Sequence, residues 1–264
     1  MTSVLKALVV AAALVVPATS VHAAPSRRMD LVVRGKTVSL MVYTPIDGAT
    51  PKGTVLMASG DVGWVGLATN LAGFLSDQGW VVVGINTRQY LSVFVNDKDH
   101  LTVEQIPADY RTVANAMKAQ GPLRSPVVVS GVSEGAALAV AAAAGSANRD
   151  WLHGVMTFGL PAVAELAWRW RDMASWITKS DANEPSFSPH EIIGSVSPLP
   201  IWMLQSTRDE YVPEADYRRF ERTARDPKRL VLIDAQNHRF TDKLPQLKEQ
   251  VLAGLAWIAA GGRP

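Results

Sequence analysis

Val127-Val128-Val129-Ser130-Gly131-Val132-Ser133-Glu134-Gly135-Ala136-Ala137 joins an apolar, β-branched run to an alanine-rich stretch that continues to Ala144. The run predicts a buried strand over about Pro126 to Ser130, and the alanine-rich stretch a helix over Glu134 to Ala144. Ser133 then falls on the turn between them, with a glycine two residues to either side. A sharp strand-to-helix turn strains its central residue and leaves no room for side chains at the flanking positions, a demand that glycine meets. A serine at a helix start can also be an N-cap. A dinucleotide-binding loop does not fit, because the second and third glycines of G-x-G-x-x-G would fall on Ser133 and Ala136.

The same alternation extends in both directions. Apolar runs at Gly53 to Ser59, Trp80 to Ile85, Leu152 to Phe158, Pro200 to Gln205 and Arg229 to Asp234 read as further strands. Helical stretches are expected at Val65 to Asp77, Val103 to Ala119, Glu214 to Ala224 and Asp242 to Ile258, the second opening with Thr102 and Gln105 at capping-box spacing. Strands alternating with helices predict an α/β fold with a mostly parallel central sheet. Met29 to Tyr43, alternating around Arg34-Gly35-Lys36, reads as an antiparallel hairpin at the sheet edge. Residues 160–199, with Trp168, Trp170 and Trp176 followed by Pro185, Pro189 and Pro198, stand where a small cap insertion is expected.

Composition narrows the function classes. The chain has 264 residues, 48% apolar and 19% charged, the balance of a globular protein able to bury a core without metals or disulfides. Lys and Arg number 26 against 24 Asp and Glu, with no basic cluster, which argues against a nucleic-acid partner. Lys6, the apolar stretch Ala7 to Val16 and the small-residue site Val21-His22-Ala23 form the pattern of a cleavable export signal over residues 1–23. The expected mature chain is one domain over 24–264, periplasmic or secreted. About ten apolar residues ending at Pro17 fall short of the roughly 20 that a membrane span needs. The chain contains no cysteine, which excludes acylation on Cys and oxidative folding.

A serine hydroxyl needs a base within reach to become a nucleophile, and the base needs an orienting acid. Asp209 stands just past the strand ending near Gln205, with Glu210 as the nearest substitute. His238 follows the last strand in Ala235-Gln236-Asn237-His238-Arg239-Phe240. His22 lies in the leader, and His100, His153 and His190 all precede the acid, so His238 alone completes the order Ser, Asp, His. That order, with the serine on its elbow, is the signature of the α/β-hydrolase fold. Ser133, Asp209 and His238 are therefore the expected catalytic residues, and the reaction is acyl transfer from an ester to water.

An oxyanion hole requires backbone N–H groups set at the turn. One is expected from Glu134 and the other from the loop Ser59-Gly60-Asp61-Val62-Gly63-Trp64, with Asp61 ahead of Val62. Gly60, Trp64, Tyr90 and Trp168 are expected to contact substrate. Asp61 and Glu134 together could favour a cationic substrate, although an acid in the first turn of a helix also suits the macrodipole. The tryptophans, interleaved with Arg169 and Arg171, fit either a peripheral contact with lipid headgroups or core packing that closes a cap. No cofactor is expected, and no His or Cys cluster has metal-ligand spacing. The expected partner is a small-molecule or lipid ester.

From Gly53 onward the chain resembles the VirJ/AcvB-type family of bacterial virulence-associated α/β hydrolases. Ser59 to Trp64 is similar to that family's S-G-D-G-G-W, and Asn86 to Tyr90, Ile106-Pro107-Ala108-Asp109-Tyr110 and the serine elbow extend the likeness. Two positions depart from it: Val62 stands for a glycine, and the elbow's G-Y-S-F-G-A-D reads Gly131-Val132-Ser133-Glu134-Gly135-Ala136-Ala137. The resemblance implies an exported protein. AcvB-like members hydrolyse aminoacylated phosphatidylglycerol and VirJ-like members are associated with type IV secretion, which leaves two expectations: a lipid esterase, or a non-catalytic secretion-accessory or binding protein on the same fold. Generic esterases and dienelactone-hydrolase-like enzymes share the spacing of the three residues.

Overall fold

The near-continuous valine runs of the sequence become the centre of an eight-stranded sheet. In the computed structural model, which describes residues 26–45, 50–95, 100–168 and 185–263, the chain opens with a hairpin of β1 (Ser26–Val33) and β2 (Lys36–Tyr43). Its turn at Arg34 and Gly35 takes φ of 46° and 75°, the left-handed pair that matches strand twist. Then follow β3 (Thr54–Ala58), α1 (Leu67–Asp77), β4 (Val81–Ile85), α2 (Thr87–Val93) and α3 (Ile106–Ala119). After these come β5 (Val127–Val132), α4 (Glu134–Ala143), β6 (Gly154–Phe158), and the short strands β7 (Ala164–Glu165) and β8 (Ser186–Phe187). The chain finishes with α5 (Pro189–Ile192), β9 (Ile201–Ser206), α6 (Glu214–Thr223), β10 (Lys228–Ile233) and α7 (Leu244–Ala259).

The sheet order is β1-β2-β4-β3-β5-β6-β9-β10. β1, β2 and β4 pair antiparallel, and every pair from β4 to β10 is parallel. Strands β3 to β6 are buried throughout because helices cover both faces. Val55 and Met57 pack with Leu71, Leu75, Leu247 and Val251 of α1 and α7. Leu56 and Ala58, pointing the other way along the same strand, pack with Tyr110, Met117 and Leu138 of α3 and α4.

The hairpin is tied to this helical layer by polar contacts. Arg34 donates from Nε and Nη2 to the Asp109 carboxylate at 2.9 and 3.0 Å, Tyr90 donates to the same group at 2.6 Å, and the Arg34 guanidinium lies 3.7 Å over the Phe94 ring. Asp109 is 2% exposed, so its charge needs these partners.

The chain runs from β3 outward to β4 and returns across β3 to β5. At such a reversal the loops leaving the two strands diverge and open a crevice at their carboxyl ends. Those loops are Ser59 to Trp64 after β3 and the serine turn after β5. The loops leaving β6, β9 and β10 lie on the same edge, since the strands are parallel.

Four elements, α2, α5, β7 and β8, were not expected from the sequence. α2 is too short to show periodicity and is fixed by the Asn86 side chain, which accepts from the Gln89 N–H at 3.2 Å. β7 and β8 pair antiparallel within the insertion at 160–199. The described residues of that insertion pack largely into the core beside α4, through Leu160, Ala164, Leu166 and Ile193. The expected leader at 1–23, and Arg169, Trp170, Arg171 and Trp176, lie outside the described residues. No helix among the described residues is long and apolar enough to cross a membrane.

Candidate active site

Ser133 sits between β5 and α4 with φ 54° and ψ −123°, a strained conformation for a non-glycine residue. Its backbone is pinned from both sides. Its N–H donates to the Phe158 carbonyl at 2.9 Å, and its carbonyl accepts from the Ala136 N–H at 2.7 Å. A Cβ on Gly131 would come within 2.0 Å of the Gly135 carbonyl oxygen, and one on Gly135 within 2.3 Å of the Ser59 oxygen. The two flanking glycines are thus required by backbone packing.

The loop after β9 delivers Asp209 and the loop after β10 delivers His238, in neighbouring parallel strands. The His238 Nδ1–H donates to Asp209 Oδ2 at 2.7 Å. That oxygen also accepts from Gln205 Nε2 at 2.7 Å, while Oδ1 accepts from the N–H groups of Tyr211 and Val212 at 2.9 and 3.0 Å. Burial alone would raise the Asp209 carboxyl, but the His238 bond and charge and the two backbone N–H groups outweigh it and hold the group below its ordinary value. Glu210, the alternative acid, accepts instead from the His238 backbone N–H at 2.8 Å and so anchors the loop.

The imidazole is 6% exposed. Tyr211 meets it edge-on, with ring centroids 5.4 Å apart, and Gly159, at φ 58°, lies directly beneath it.

Ser133 and His238 line one cavity of about 500 Å³, within the range of small-molecule sites. Gly60, Asp61, Val62 and Glu134 line it too, as do Val65, Pro161, Tyr211 and Arg239. The β3–α1 loop is held by Thr87, whose hydroxyl donates to the Ser59 carbonyl at 2.6 Å, and by a turn in which the Gly63 N–H donates to the Gly60 carbonyl at 3.1 Å. Among the described residues the N–H groups of Asp61 and Val62 have no acceptor. Gly60 adjoins the serine: a Cβ there would lie 3.7 Å from the Ser133 Cβ.

The serine hydroxyl does not meet the imidazole. Ser133 Oγ donates to Glu134 Oε2 at 2.8 Å, and His238 Nε2 is buried with no partner among the described residues. Glu134 itself is held above the ordinary carboxylate range, first by burial and next by the Asp61 charge. The Ser133 bond, its own backbone N–H and His238 act in the opposite sense.

Three of the expected substrate contacts do not line this cavity. Trp64 does not line the cavity; its ring packs onto the sheet at Gly84 and its Nε1–H donates to the Tyr43 hydroxyl at 3.1 Å. Tyr90 is 3% exposed and committed to Asp109. Trp168 packs against the core, with the Arg88 guanidinium 3.9 Å over its ring. Gln205, Gly159, Tyr211 and Arg239 join the site without having been expected from the sequence. A polar residue closing the apolar run Ile201 to Leu204, and a glycine ending another, were the available signals for the first two. Among the described residues no group of His, Asp and Glu side chains converges as a metal site.

A family model described as "Bacterial virulence protein (VirJ)" matches residues 53–226. A comparison with curated proteins found no match. Among solved structures, a putative dienelactone hydrolase from Klebsiella pneumoniae superposes with a TM-score of 0.67 at 16% identity, covering 90% of this chain and 99% of that one. Est1E from Butyrivibrio proteoclasticus gives 0.62 at 13% identity, covering 88% and 99%. An α/β serine hydrolase without lid from Xanthomonas campestris gives 0.57 at 18% identity, covering 88% and 94%. At these identities the likeness establishes the α/β-hydrolase fold.

Proposed function

The chain belongs to the VirJ family of bacterial virulence proteins, and from that premise and its site geometry we propose that it is a serine hydrolase acting on a carboxylic ester. Ser133 is the nucleophile, His238 the general base and Asp209 its orienting acid. The observation that carries this reading is the Asp209–His238 pair at 2.7 Å, whose imidazole lines one cavity with a serine held at φ 54°.

In the reaction, Ser133 Oγ turns from Glu134 toward His238 Nε2 and attacks the ester carbonyl carbon as the imidazole takes the hydroxyl proton. The carbonyl oxygen becomes an oxyanion facing the N–H groups of Asp61 or Val62 and of Glu134. Collapse expels the alcohol, which receives the proton from His238. Water, deprotonated by the same imidazole, then releases the acid and restores the serine. Asp209 fixes the tautomer in which Nε2 is the acceptor and stabilises the imidazolium. The esterase and hydrolase names of the structural neighbours agree with this reaction class.

The substrate we propose is a lipid ester, with an aminoacyl phospholipid as one form. Val62, Val65 and Tyr211, 48, 55 and 64% exposed, give the cavity an apolar rim suited to an acyl chain, and Asp61 and Glu134 suit an ammonium group. Unchanged selectivity between cationic and neutral esters after neutralising both acids would remove the ammonium part. Export to the periplasm or beyond belongs to the same reading.

A non-catalytic secretion-accessory role is the second reading, favoured by the serine hydroxyl engaging Glu134 and not His238. A fluorophosphonate probe separates the two. The hydrolase is labelled in the wild type and not in Ser133→Ala. Absence of Ser133-dependent labelling from about pH 4 to about pH 9, a span crossing the carboxylate-to-imidazole range, would transfer the chain to the second reading.

A further inference from the structure

A serine hydroxyl carries one proton, so it can donate to one acceptor at a time. Two acceptors compete for the Ser133 proton. Glu134 Oε2 holds it at 2.8 Å, while His238 Nε2, the base that must take it, is buried without a partner among the described residues. The other side of the imidazole is fixed on Asp209, so the ring cannot follow the hydroxyl toward Glu134. Nor can Glu134 drift away as a unit, because the next residue, Gly135, is locked against the backbone of Ala58 and Ser59. We propose that Glu134 is a positioning residue that latches the nucleophile: its carboxylate holds the Ser133 hydroxyl away from His238 at rest, and neutralisation of that carboxylate frees the hydroxyl for catalysis.

The latch rests on the hydrolase reading above and adds a control to it. A hydrogen bond to an ionised acceptor is roughly twice as strong as one to a neutral acceptor. An ionised Glu134 also places negative charge beside the developing oxyanion. Both effects slow attack when the group is charged and relax when it is neutral. The charged and titratable groups that line the cavity with it are Asp61 from the β3–α1 loop, Tyr211 from the loop after β9, and His238 and Arg239 from the loop after β10, and of these Asp61 and His238 act on its charge. Burial and Asp61 both favour its neutral form, so release comes at a higher pH than for an ordinary carboxylate.

The test is the rate of fluorophosphonate labelling of the full chain, followed from about pH 4 to about pH 9 for wild type, Glu134→Gln, Asp61→Asn and Ser133→Ala. Glu134→Gln keeps the shape and removes the charge. It is expected to label about five- to tenfold faster than wild type at the alkaline end, the difference between a charge-assisted and a neutral hydrogen bond. The ratio should fall toward one as the pH is lowered and wild-type Glu134 takes up its own proton. Asp61→Asn removes the charge that favours neutral Glu134, so its convergence with Glu134→Gln should move to lower pH.

Equal or slower labelling of Glu134→Gln, or a ratio that does not change with pH, overturns the latch and leaves the hydrolase standing. An acid that merely suits the helix macrodipole would give that result. If Glu134→Gln does not fold, the pH profile of Asp61→Asn decides, and one superimposed on wild type overturns the latch. Absence of Ser133-dependent labelling in every variant overturns the hydrolase reading, and the latch with it.

Discussion

Replacing Gly159 with alanine should disable the site by moving one imidazole. Gly159 follows β6 directly at φ 58°, and a Cβ there would stand 2.4 Å from His238 Cε1 and 2.8 Å from Nδ1. Ordinary contact begins near 3.4 Å, so the ring must move by about 1 Å. It has little room to do so, with Asp209 bonded at 2.7 Å on one side and Tyr211 edge-on at 5.4 Å on another. A displacement of about 1 Å in a reacting group costs about 100-fold in rate. The left-handed backbone adds about 1 kcal/mol of strain for alanine, and overpacking a further 1 to 3 kcal/mol, roughly. The assay is kcat/KM on a short-chain p-nitrophenyl ester, with urea midpoints alongside. Gly35→Ala is the control: it sits at φ 75° with no heavy atom within 4 Å of its Cβ position, so it pays the strain without touching the site. Gly35→Ala should lose about 1 kcal/mol of stability and no activity. A folded Gly159→Ala protein within threefold of the wild-type rate would refute the placement of His238 over Gly159.

An Asp209→Asn side chain that places its NH2 where Oδ2 stood turns it toward Gln205 Nε2 and His238 Nδ1, both of which donate to that oxygen at 2.7 Å, and should lower kcat by about 10³ to 10⁴ by favouring the wrong tautomer. A rate within tenfold of wild type would sink Asp209 as the orienting acid. Because the Asp209 carboxyl is depressed in the folded chain, its contribution to stability is present above the ordinary carboxylate range and lost as pH falls through the depressed value. Urea midpoints of wild type and Asp209→Asn should therefore converge below about pH 4; a gap that widens there would contradict the sign. Gly135→Ala forces a Cβ to within 2.3 Å of backbone oxygen and should yield little folded protein or none reactive at Ser133, as read by circular dichroism and labelling. Asp109→Ala strands Arg34 and Tyr90 and should cost about 3 kcal/mol, the low end for a broken buried pair because Arg34 is partly solvated, while labelling of Ser133 is unchanged. Calorimetry showing a loss below about 1 kcal/mol would deny the cluster its role in holding the hairpin.

Local chemistry made much of this protein legible without coordinates. Valine runs, the alanine stretch and the glycines around Ser133 specify strand, turn and helix within a dozen residues, and such signals do not depend on what packs nearby. The positions of Asp209 and His238 just beyond two apolar runs likewise follow from chain order, since parallel strands deliver all their following loops to one edge. Direction was another matter. Whether Asp209 or Glu210 meets the imidazole depends on how the loop after β9 is turned by the N–H groups of Tyr211 and Val212. Trp64 and Tyr90 carry side chains suited to substrate, yet Trp64 fills the space over Gly84 and Tyr90 is spent on Asp109. Gly159 matters only because β6 and the loop after β10 converge across 79 residues of chain, and Ser133 donates to Glu134 through a side-chain rotamer that no spacing encodes. Sequence periodicity fixes which face an element buries; which atoms meet across the gap is set by neighbours far away in the chain, and those are assembled by the sheet order alone.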